Sequence, residues 1–259
     1  MSAPPAWLER IVAARRLSVE AARAARGPAP LPVRTTPVRD FESALRAPGR
    51  RILAEIKRRS PSAGVLREGL DPETVARAYA SAGAAGLSVL TEPGFFGGSD
   101  GDLVHAREAC ALPVLRKDFV LDHEMVEESA ALGADAVLLI AAVLAPAELR
   151  ALVRTAHEAG LSALVEIHDE RELDAALSSQ ARIIGVNSRD LRDFSVDLRR
   201  AERLGSRLPP GVVKVAESGI RDGHDMARLE AAGYGAFLVG ESLLRAQDPG
   251  AALAELLSP

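Results

Sequence analysis

The chain has 259 residues, 47% of them hydrophobic, so it is long enough to bury one large core, and we expect a single domain. A formal net charge of -4 provides no extended basic surface, so nucleic acid is not an expected partner. Cys110 is the single cysteine, and no apolar run reaches the roughly 18 residues that a membrane span needs. We therefore expect a soluble protein of a reducing compartment, the cytoplasm, with no membrane partner.

Two amphipathic segments precede residue 50. Residues 5–26 and 36–47 have helical periodicity, and the breaker-rich segment GPAPLP at 27–32 separates them. The first 27 residues are rich in arginine but carry Glu9 and Glu20 and lack a continuous apolar stretch, which favours an amphipathic helix over a secretory signal. Residues 1–50 are therefore predicted to be an N-terminal helical extension.

From residue 50 onward, short β-type apolar runs alternate with segments of helical period, as in repeated βα units with a parallel sheet. The eight runs are 52–57, 87–91, 113–117, 136–140, 163–167, 183–187, 212–217 and 236–240. Helical segments such as 72–82, 146–159 and 222–232 lie between them, and several end at a glycine. Eight units favour a closed barrel. We predict an α/β fold: a single (β/α)8 TIM barrel over 51–259, with the extension capping or flanking its mouth.

Lysine is used sparingly in this chain. Lys57, Lys117 and Lys214 are the only three lysines among 32 basic residues. A desolvated lysine can lose its proton whereas an arginine cannot, so a lysine at an interior strand position suggests a chemical role. Chance remains open for any one of them.

In a parallel barrel, side chains alternate inward and outward, and reactive groups collect at the carboxyl ends of the strands. Glu55 and Lys57 share a face with Leu53, and we predict that this face points inward. Later strands carry their polar group at the same end: Lys117, Glu166, Asn187 and Glu217. Ion pairs that merely fill the barrel are an alternative, but the recurrence over five strands favours a network poised for proton transfer. Lys214 lies an odd number of positions from Glu217 and is predicted to face outward.

The turns ESGI at 217–220 and VGES at 239–242 follow the last two predicted strands, where such barrels bind phosphate through backbone N–H groups. The five histidines show no metal-ligand spacing and are interpreted as solvated: His105, His123, His157, His168 and His224. No Walker, dinucleotide-binding or nucleophile-elbow motif is present, so we expect no cofactor and no metal.

The first strand and its loop, ILAEIKRRSPS at 52–62, resemble the signature of indole-3-glycerol-phosphate synthases. The resemblance continues in order through FFGGS at 95–99, LRKDF at 115–119, ADAVLLI at 134–140, VEI at 165–167, GVNSRDL at 185–191, AESG at 216–219 and VGESL at 239–243. Agreement over so many motifs covers most of the chain and is highly specific.

This resemblance implies cofactor-free ring closure in tryptophan biosynthesis. The family joins C1 of the anthranilate ring to the ribulose C2 carbonyl carbon of 1-(2-carboxyphenylamino)-1-deoxyribulose 5-phosphate, with loss of carbon dioxide and water. The resemblance makes Lys117 the general acid and Glu166 the base, gives Glu55 and Lys57 proton transfer and substrate binding, and lets Glu217 orient the network. It also implies substrate contacts: Asn187 and Arg189 near the anthranilate carboxylate, Ser60, Ser218, Gly219, Gly240 and Glu241 on the phosphate side, and Phe96, Phe119 and Leu138 along the aromatic ring.

Two alternatives stay open at this point. A Schiff-base sugar-phosphate aldolase on the same barrel would use Lys57 or Lys117 as a covalent nucleophile. A catalytically silent sugar-phosphate-binding protein would keep the barrel for recognition alone. The sequence also leaves open a physical complex with other tryptophan-pathway enzymes.

Overall fold

The computed structural model describes residues 6–190 and 192–258, so the predicted helix start at residue 5 and Leu191 of the sixth-strand motif lie outside the described residues. Within them, eight parallel strands close into a barrel. These strands are β1 Arg51–Ile56, β4 Gly86–Leu90, β5 Val114–Lys117, β6 Ala136–Ile140, β7 Ser162–Ile167, β8 Ile183–Asn187, β9 Val213–Glu217 and β10 Ala236–Val239. Around the barrel they lie in the order β1-β10-β9-β8-β7-β6-β5-β4. The predicted fold class is confirmed, and each predicted strand lies within one residue of its observed bounds.

Helices follow the strands and cover the outside of the barrel. They are α3 Pro72–Ser81, α4 Pro93–Phe96, α5 Asp100–Ala109, α6 His123–Ala131, α7 Pro146–Glu158, α8 Glu170–Ser178, α9 Leu198–Gly205, α10 Gly223–Ala231, α11 Glu241–Arg245 and α12 Pro249–Leu257. Aspartate side chains accept the free N–H groups at the start of most of them, as Asp71 does for α3 and Asp222 for α10. A short hairpin of β2 Arg59–Ser60 and β3 Gly64–Val65 follows β1.

The predicted alternation of faces along β1 is confirmed. Leu53 belongs to the cluster that fills the barrel, whereas Ile52, Ala54 and Ile56 belong to the larger cluster between barrel and helices. The inward series therefore continues from Leu53 through Glu55 to Lys57 and reaches the carboxyl end of the barrel as a carboxylate and an ammonium.

The two N-terminal helices, α1 Ala6–Arg26 and α2 Phe41–Arg46, lie at opposite ends of the barrel. Helix α1 reaches the carboxyl end, where Trp7 and Leu8 line the central cavity. In α2, Phe41 and Leu45 instead join the barrel cluster beside residues that begin strands: Ile183, Val213 and Ala236. The expectation that both segments cap or flank the barrel mouth is therefore right for α1 and wrong for α2, which lies at the amino end and leads directly into β1.

In the described part of the chain, no helix is both long enough and apolar enough to cross a membrane.

Candidate active site

A cavity of about 730 Å³ opens at the carboxyl ends of the strands. All fifteen residues that the sequence singled out contribute to its lining: Glu55, Lys57, Ser60, Phe96, Lys117, Phe119, Leu138, Glu166, Asn187, Arg189, Glu217, Ser218, Gly219, Gly240 and Glu241. Strand ends and the loops that follow them supply nearly all of this lining, as expected for the functional face of such a barrel.

Lys117 lies in the floor of the cavity between two buried carboxylates. Its Nζ is 3.4 Å from Glu166 Oε2 and 3.5 Å from Glu217 Oε2. The two glutamate side chains are 4% and 1% exposed, and Lys117 is 13% exposed. The Lys117 ammonium therefore lies between two glutamate carboxyl groups that have almost no contact with solvent.

This arrangement separates the pKa values of the three groups. Burial alone would lower the pKa of Lys117, but Glu166, Glu217 and Glu55 raise it, so Lys117 is an ammonium. Burial would raise the pKa of Glu166, but Lys117 and His168 lower it. Burial and the neighbouring Glu166 charge raise the pKa of Glu217 to about 8. Near neutral pH, the site therefore holds an ionised Glu166 beside a protonated Glu217.

A second ion pair stands beside this group. Lys57 Nζ donates a hydrogen bond to Glu55 Oε1, and Glu55 is 4% exposed. Burial would raise the pKa of Glu55, but the charges of Lys57 and Lys117 lower it. Glu55 is therefore ionised, and Lys57 and Lys117 compensate its charge.

Two glycines make room for these carboxylates. A Cβ at Gly240 would stand 2.5 Å from Glu55 Oε1, and a Cβ at Gly185 would collide with Glu217 Oε1. Any side chain at either position would displace a glutamate from the floor. The need for glycine at Gly185, in the middle of β8, comes from the site and not from a turn.

The turn after β9 has an unusual backbone. Ser218 has φ of 63° and Gly219 φ of 82°, so a non-glycine residue adopts the left-handed region at the cavity wall. Such a conformation costs about 1 kcal/mol or more and is found most often at functional sites. A Cβ at Gly219 would collide with Val196. Successive left-handed residues turn backbone N–H groups toward one side, which suits an anion.

The turn after β10 leads into α11, where Gly240 precedes Glu241. The Glu241 carboxylate does not face an anion site alone, because it pairs with Arg189 at 3.5 Å and with Arg245 at 3.3 Å. In the loop after β1, Ser60 is buried and its hydroxyl accepts a hydrogen bond from Ala63 N. The phosphate-side residues predicted from the sequence therefore lie along one wall of the cavity with cationic side chains nearby.

The opposite side of the cavity is apolar. The rings of Phe96 and Phe119 are 6.3 Å apart, and Leu138 is buried beside them. Trp7 and Phe194, which were not predicted from the sequence, also line the cavity, and their ring centroids lie 4.7 Å apart with the ring planes tilted by 41°. Their pairing joins α1 to the loop after β8, and no local pattern in either segment signals it.

Asn187 and Arg189 organise that loop. Asn187 Oδ1 accepts the backbone N–H of Arg189, and the Arg189 guanidinium donates to the carbonyl of Phe194. Both side chains line the cavity, as the sequence predicted. The planar guanidinium is thereby held at the edge of the apolar wall, where it can meet a carboxylate.

The interpretation of every histidine as solvated is wrong for His168, which is 6% exposed and stands behind Glu166 with Nε2 3.1 Å from Glu166 Oε1. The other four are exposed: His105, His123, His157 and His224. The signal was present, because His168 follows Glu166 by two positions, the same spacing that placed Lys57 beside Glu55.

Lys214 faces away from the cavity, as predicted, but it is not simply solvated. Its Nζ donates a hydrogen bond of 2.7 Å to the carbonyl oxygen of Gly205, the last residue of α9, and so gives a partner to a carbonyl at the end of that helix. In the described residues, no group of three or more His, Cys, Asp or Glu side chains is placed to hold a metal ion.

Comparison with known proteins identifies the family. The family model for indole-3-glycerol phosphate synthase matches residues 8–256. The indole-3-glycerol phosphate synthase 2 of Streptomyces coelicolor is 54% identical over 221 residues, which cover 85% of this chain and 86% of that protein. The indole-3-glycerol phosphate synthase of Acidithiobacillus ferrooxidans is 50% identical over 226 residues, with 86% of each protein covered.

Solved structures with low sequence identity share the fold alone. N-acetylmannosamine-6-phosphate 2-epimerase from Clostridium perfringens superposes with a TM-score of 0.61 at 15% identity, covering 80% of this chain and 93% of that one. Thiamine phosphate pyrophosphorylase from Pyrococcus furiosus gives 0.60 at 17% identity, with the same coverage.

Proposed function

This chain belongs to the indole-3-glycerol phosphate synthase family, and we propose that its cavity binds 1-(2-carboxyphenylamino)-1-deoxyribulose 5-phosphate and closes the indole ring with the residues described above. The reaction is a carboxy-lyase reaction of tryptophan biosynthesis. Ring carbon C1 bonds to the ribulose C2 carbonyl carbon, the carboxylate leaves as carbon dioxide, and a hydroxyl leaves as water. Because the ionised carboxylate leaves as neutral carbon dioxide, each turnover consumes one proton.

Lys117 is the general acid in this proposal. Ring closure places negative charge on the carbonyl oxygen, and a proton from a nearby ammonium neutralises it. The position of Lys117 between Glu166 and Glu217 supports this role, since the negative charge of Glu166 keeps the amine protonated until the substrate oxygen needs the proton. After the step, the proton consumed in turnover returns Lys117 to its charged form.

Glu166 is the base, and Glu217 holds a proton beside it. The lowered pKa of Glu166 leaves it free to accept a proton as the indole double bond forms, whereas the raised pKa of Glu217 makes it a donor that orients the network. Glu55 and Lys57 complete the floor as a compensated pair that transfers protons and holds the anionic ends of the substrate.

The walls of the cavity orient the substrate. Backbone N–H groups of the Ser218-Gly219 and Gly240-Glu241 turns, together with Ser60, bind the phosphate, and the left-handed backbone of Ser218 and Gly219 supports that role. Asn187 and Arg189 meet the anthranilate carboxylate. The slot formed by Phe96, Phe119 and Leu138 receives the aromatic ring. The rigid strand ends hold these groups in one geometry, which lowers the entropy lost in ring closure.

The observation that carries this proposal is the pairing of Lys117 with Glu166 and Glu217 in the floor of the cavity. It also weighs against the Schiff-base alternative, because an amine nucleophile must be neutral and the pKa of Lys117 is raised. Borohydride treatment in the presence of a sugar phosphate tests the point. The proposal expects no adduct on Lys117 or Lys57, and a stable adduct on either would favour the aldolase.

We place the reaction in the cytoplasm, as the free thiol of Cys110 supports. Association with other tryptophan-pathway enzymes is a further proposal, which co-sedimentation with the purified enzymes would test.

A further inference from the structure

His168 occupies a buried position directly behind the proposed base. It is the first residue after β7, so its side chain shares a direction with Glu166 two positions earlier. Its Nε2 lies 3.1 Å from Glu166 Oε1, whereas Lys117 lies 3.4 Å from the other oxygen, Oε2. The two oxygens of Glu166 therefore meet two different cationic or donor groups, one inside the cavity and one behind it.

The imidazole is held from its far side by Glu172, in the first turn of α8. Glu172 Oε2 accepts the backbone N–H of His168 at 2.7 Å and lies 3.3 Å from the ring Nδ1. The Glu172 side chain is 17% exposed. A continuous series thus runs from near the surface to the cavity floor: Glu172, His168, Glu166, Lys117.

We propose that His168, fixed by Glu172, is a positioning residue that holds Glu166 ionised and oriented, so that the single proton shared by the two floor carboxylates resides on Glu217. This inference rests on the proposed role of Glu166 as the base. His168 does not line the cavity, so it acts through Glu166 and not on the substrate.

The physical reason lies in what happens to Lys117 during ring closure. When Lys117 gives its proton to the substrate, the ionised Glu166 loses the ammonium that compensated it inside the cavity, and Glu55 keeps only Lys57. A charged imidazole that takes no part in that step keeps Glu166 paired throughout. Without it, Glu166 would compete for the proton that must reach the substrate oxygen.

The charges around His168 support an imidazolium. From β7 Glu166 faces it and from α8 Glu172 faces it, while Lys117 on β5, Glu217 on β9 and Glu55 on β1 face Glu166 from inside the barrel. Burial alone would lower the pKa of His168, but its contacts with Glu166 and Glu172 raise it to about 10. The ring is therefore charged over the range in which the enzyme would work.

The variant His168→Gln tests the proposal because glutamine can donate to Glu166 but carries no charge. We expect the acidic limb of its kcat profile to move up by about one pH unit, so that kcat measured on that limb falls about tenfold, with KM within about threefold of wild type. The matched control is His224→Gln at an exposed histidine on α10, whose profile superimposes on wild type. Superimposed profiles of His168→Gln and wild type would overturn the proposal, as would a change confined to KM.

Two further measurements do not depend on how that variant folds. Nitrogen NMR of the wild-type imidazole at pH 8 should show a doubly protonated ring for His168, and Glu172→Gln should lower the pH at which it titrates. A neutral ring in the wild type would contradict the proposal. Infrared spectra without substrate should show Glu166 ionised at pH 6 in the wild type. A protonated Glu166 at pH 6 in the wild type would contradict the proposed role of His168. Failure of the proposed function would be a different result, namely a wild type that forms no indole.

Discussion

Lys117 Nζ lies 3.4 Å from Glu166 Oε2 in the floor of the barrel, with both side chains shielded from solvent. Burial by itself would favour transfer of the proton from Lys117 to Glu166, because the charged form of each group loses its solvation. Here a second carboxylate, Glu217, stands 3.5 Å from the same ammonium and carries a proton, so the charges balance without transfer from Lys117. The substrate is the group that draws the proton away.

Lys117→Ala should abolish most turnover while leaving substrate binding measurable, because the cavity walls that hold phosphate and ring are unchanged. We expect kcat to fall at least about a hundredfold, within the range for loss of an acid catalyst. Steady-state kinetics and substrate titration by calorimetry measure the two effects. Lys214→Ala is the control: it removes a helix-capping contact outside the cavity, so kcat should stay within about twofold of wild type.

Gly185→Ala should damage the site more than the fold. The added Cβ would collide with Glu217 and stand 3.0 Å from Leu164, so the carboxylate must leave the floor. We expect kcat to fall by more than about tenfold, with a loss in the free energy of unfolding of about 1–3 kcal/mol. Gly235→Ala is the matched control, since its Cβ would meet no atom within 4 Å. Equal kcat values for the two variants would show that Glu217 need not occupy its place.

The sequence predicts the barrel and the inward polar series because both follow from regular alternation along strands. The inward direction of Glu55 and Lys57 follows from the two-residue period of a strand alone. Gly83 and Gly233 have positive φ and follow helices α3 and α10, where the sequence pattern predicts helix ends. Contacts between distant segments carry no such period. The location of α2 and the contact between the rings of Trp7 and Phe194 therefore could not be predicted, since each depends on how the closed barrel brings distant segments of the chain together.

His168 is a different case, because its spacing from Glu166 was visible. The absence of metal-ligand spacing led to the prediction of a solvated ring, but that absence does not bear on whether a histidine is buried behind a carboxylate. In the structure, the next residues turn back into α8, and Glu172 covers the ring. A residue just past a barrel strand is thus still subject to the alternation of that strand.

Arg15→Met should loosen α1 from the barrel. Arg15 makes two hydrogen bonds of 2.8 Å to Asp118, which has no exposed side-chain surface. Loss of the guanidinium leaves a buried carboxylate with Thr91 and Arg116 as its other side-chain partners, so we expect a loss of about 2–4 kcal/mol in the free energy of unfolding. Arg77→Met removes an exposed pair on α3 and should cost less than about 0.5 kcal/mol. Urea denaturation measures both, and similar losses would contradict the distinction.

Glu217→Gln should change how stability depends on pH. The folded pKa of Glu217, about 8, lies above its value of 4.5 in the unfolded chain, so between these values the native state holds a proton that the unfolded state has lost. Its contribution is therefore fully present below about pH 4.5 and is lost as the pH rises through about 8. Wild type should lose this contribution between pH 5 and pH 9, whereas Glu217→Gln has no carboxyl group to ionise. The difference in the free energy of unfolding, Glu217→Gln minus wild type, should therefore increase by on the order of a few kcal/mol from pH 5 to pH 9. A constant difference over that range would show that Glu217 is ionised throughout.

The most direct test is whether the purified chain forms an indole ring without covalent attachment to lysine. Addition of 1-(2-carboxyphenylamino)-1-deoxyribulose 5-phosphate should produce indole fluorescence together with one carbon dioxide for each product molecule. Lys117→Ala should produce neither at a comparable rate. Folded wild-type protein that binds this substrate but releases neither indole nor carbon dioxide would contradict the account.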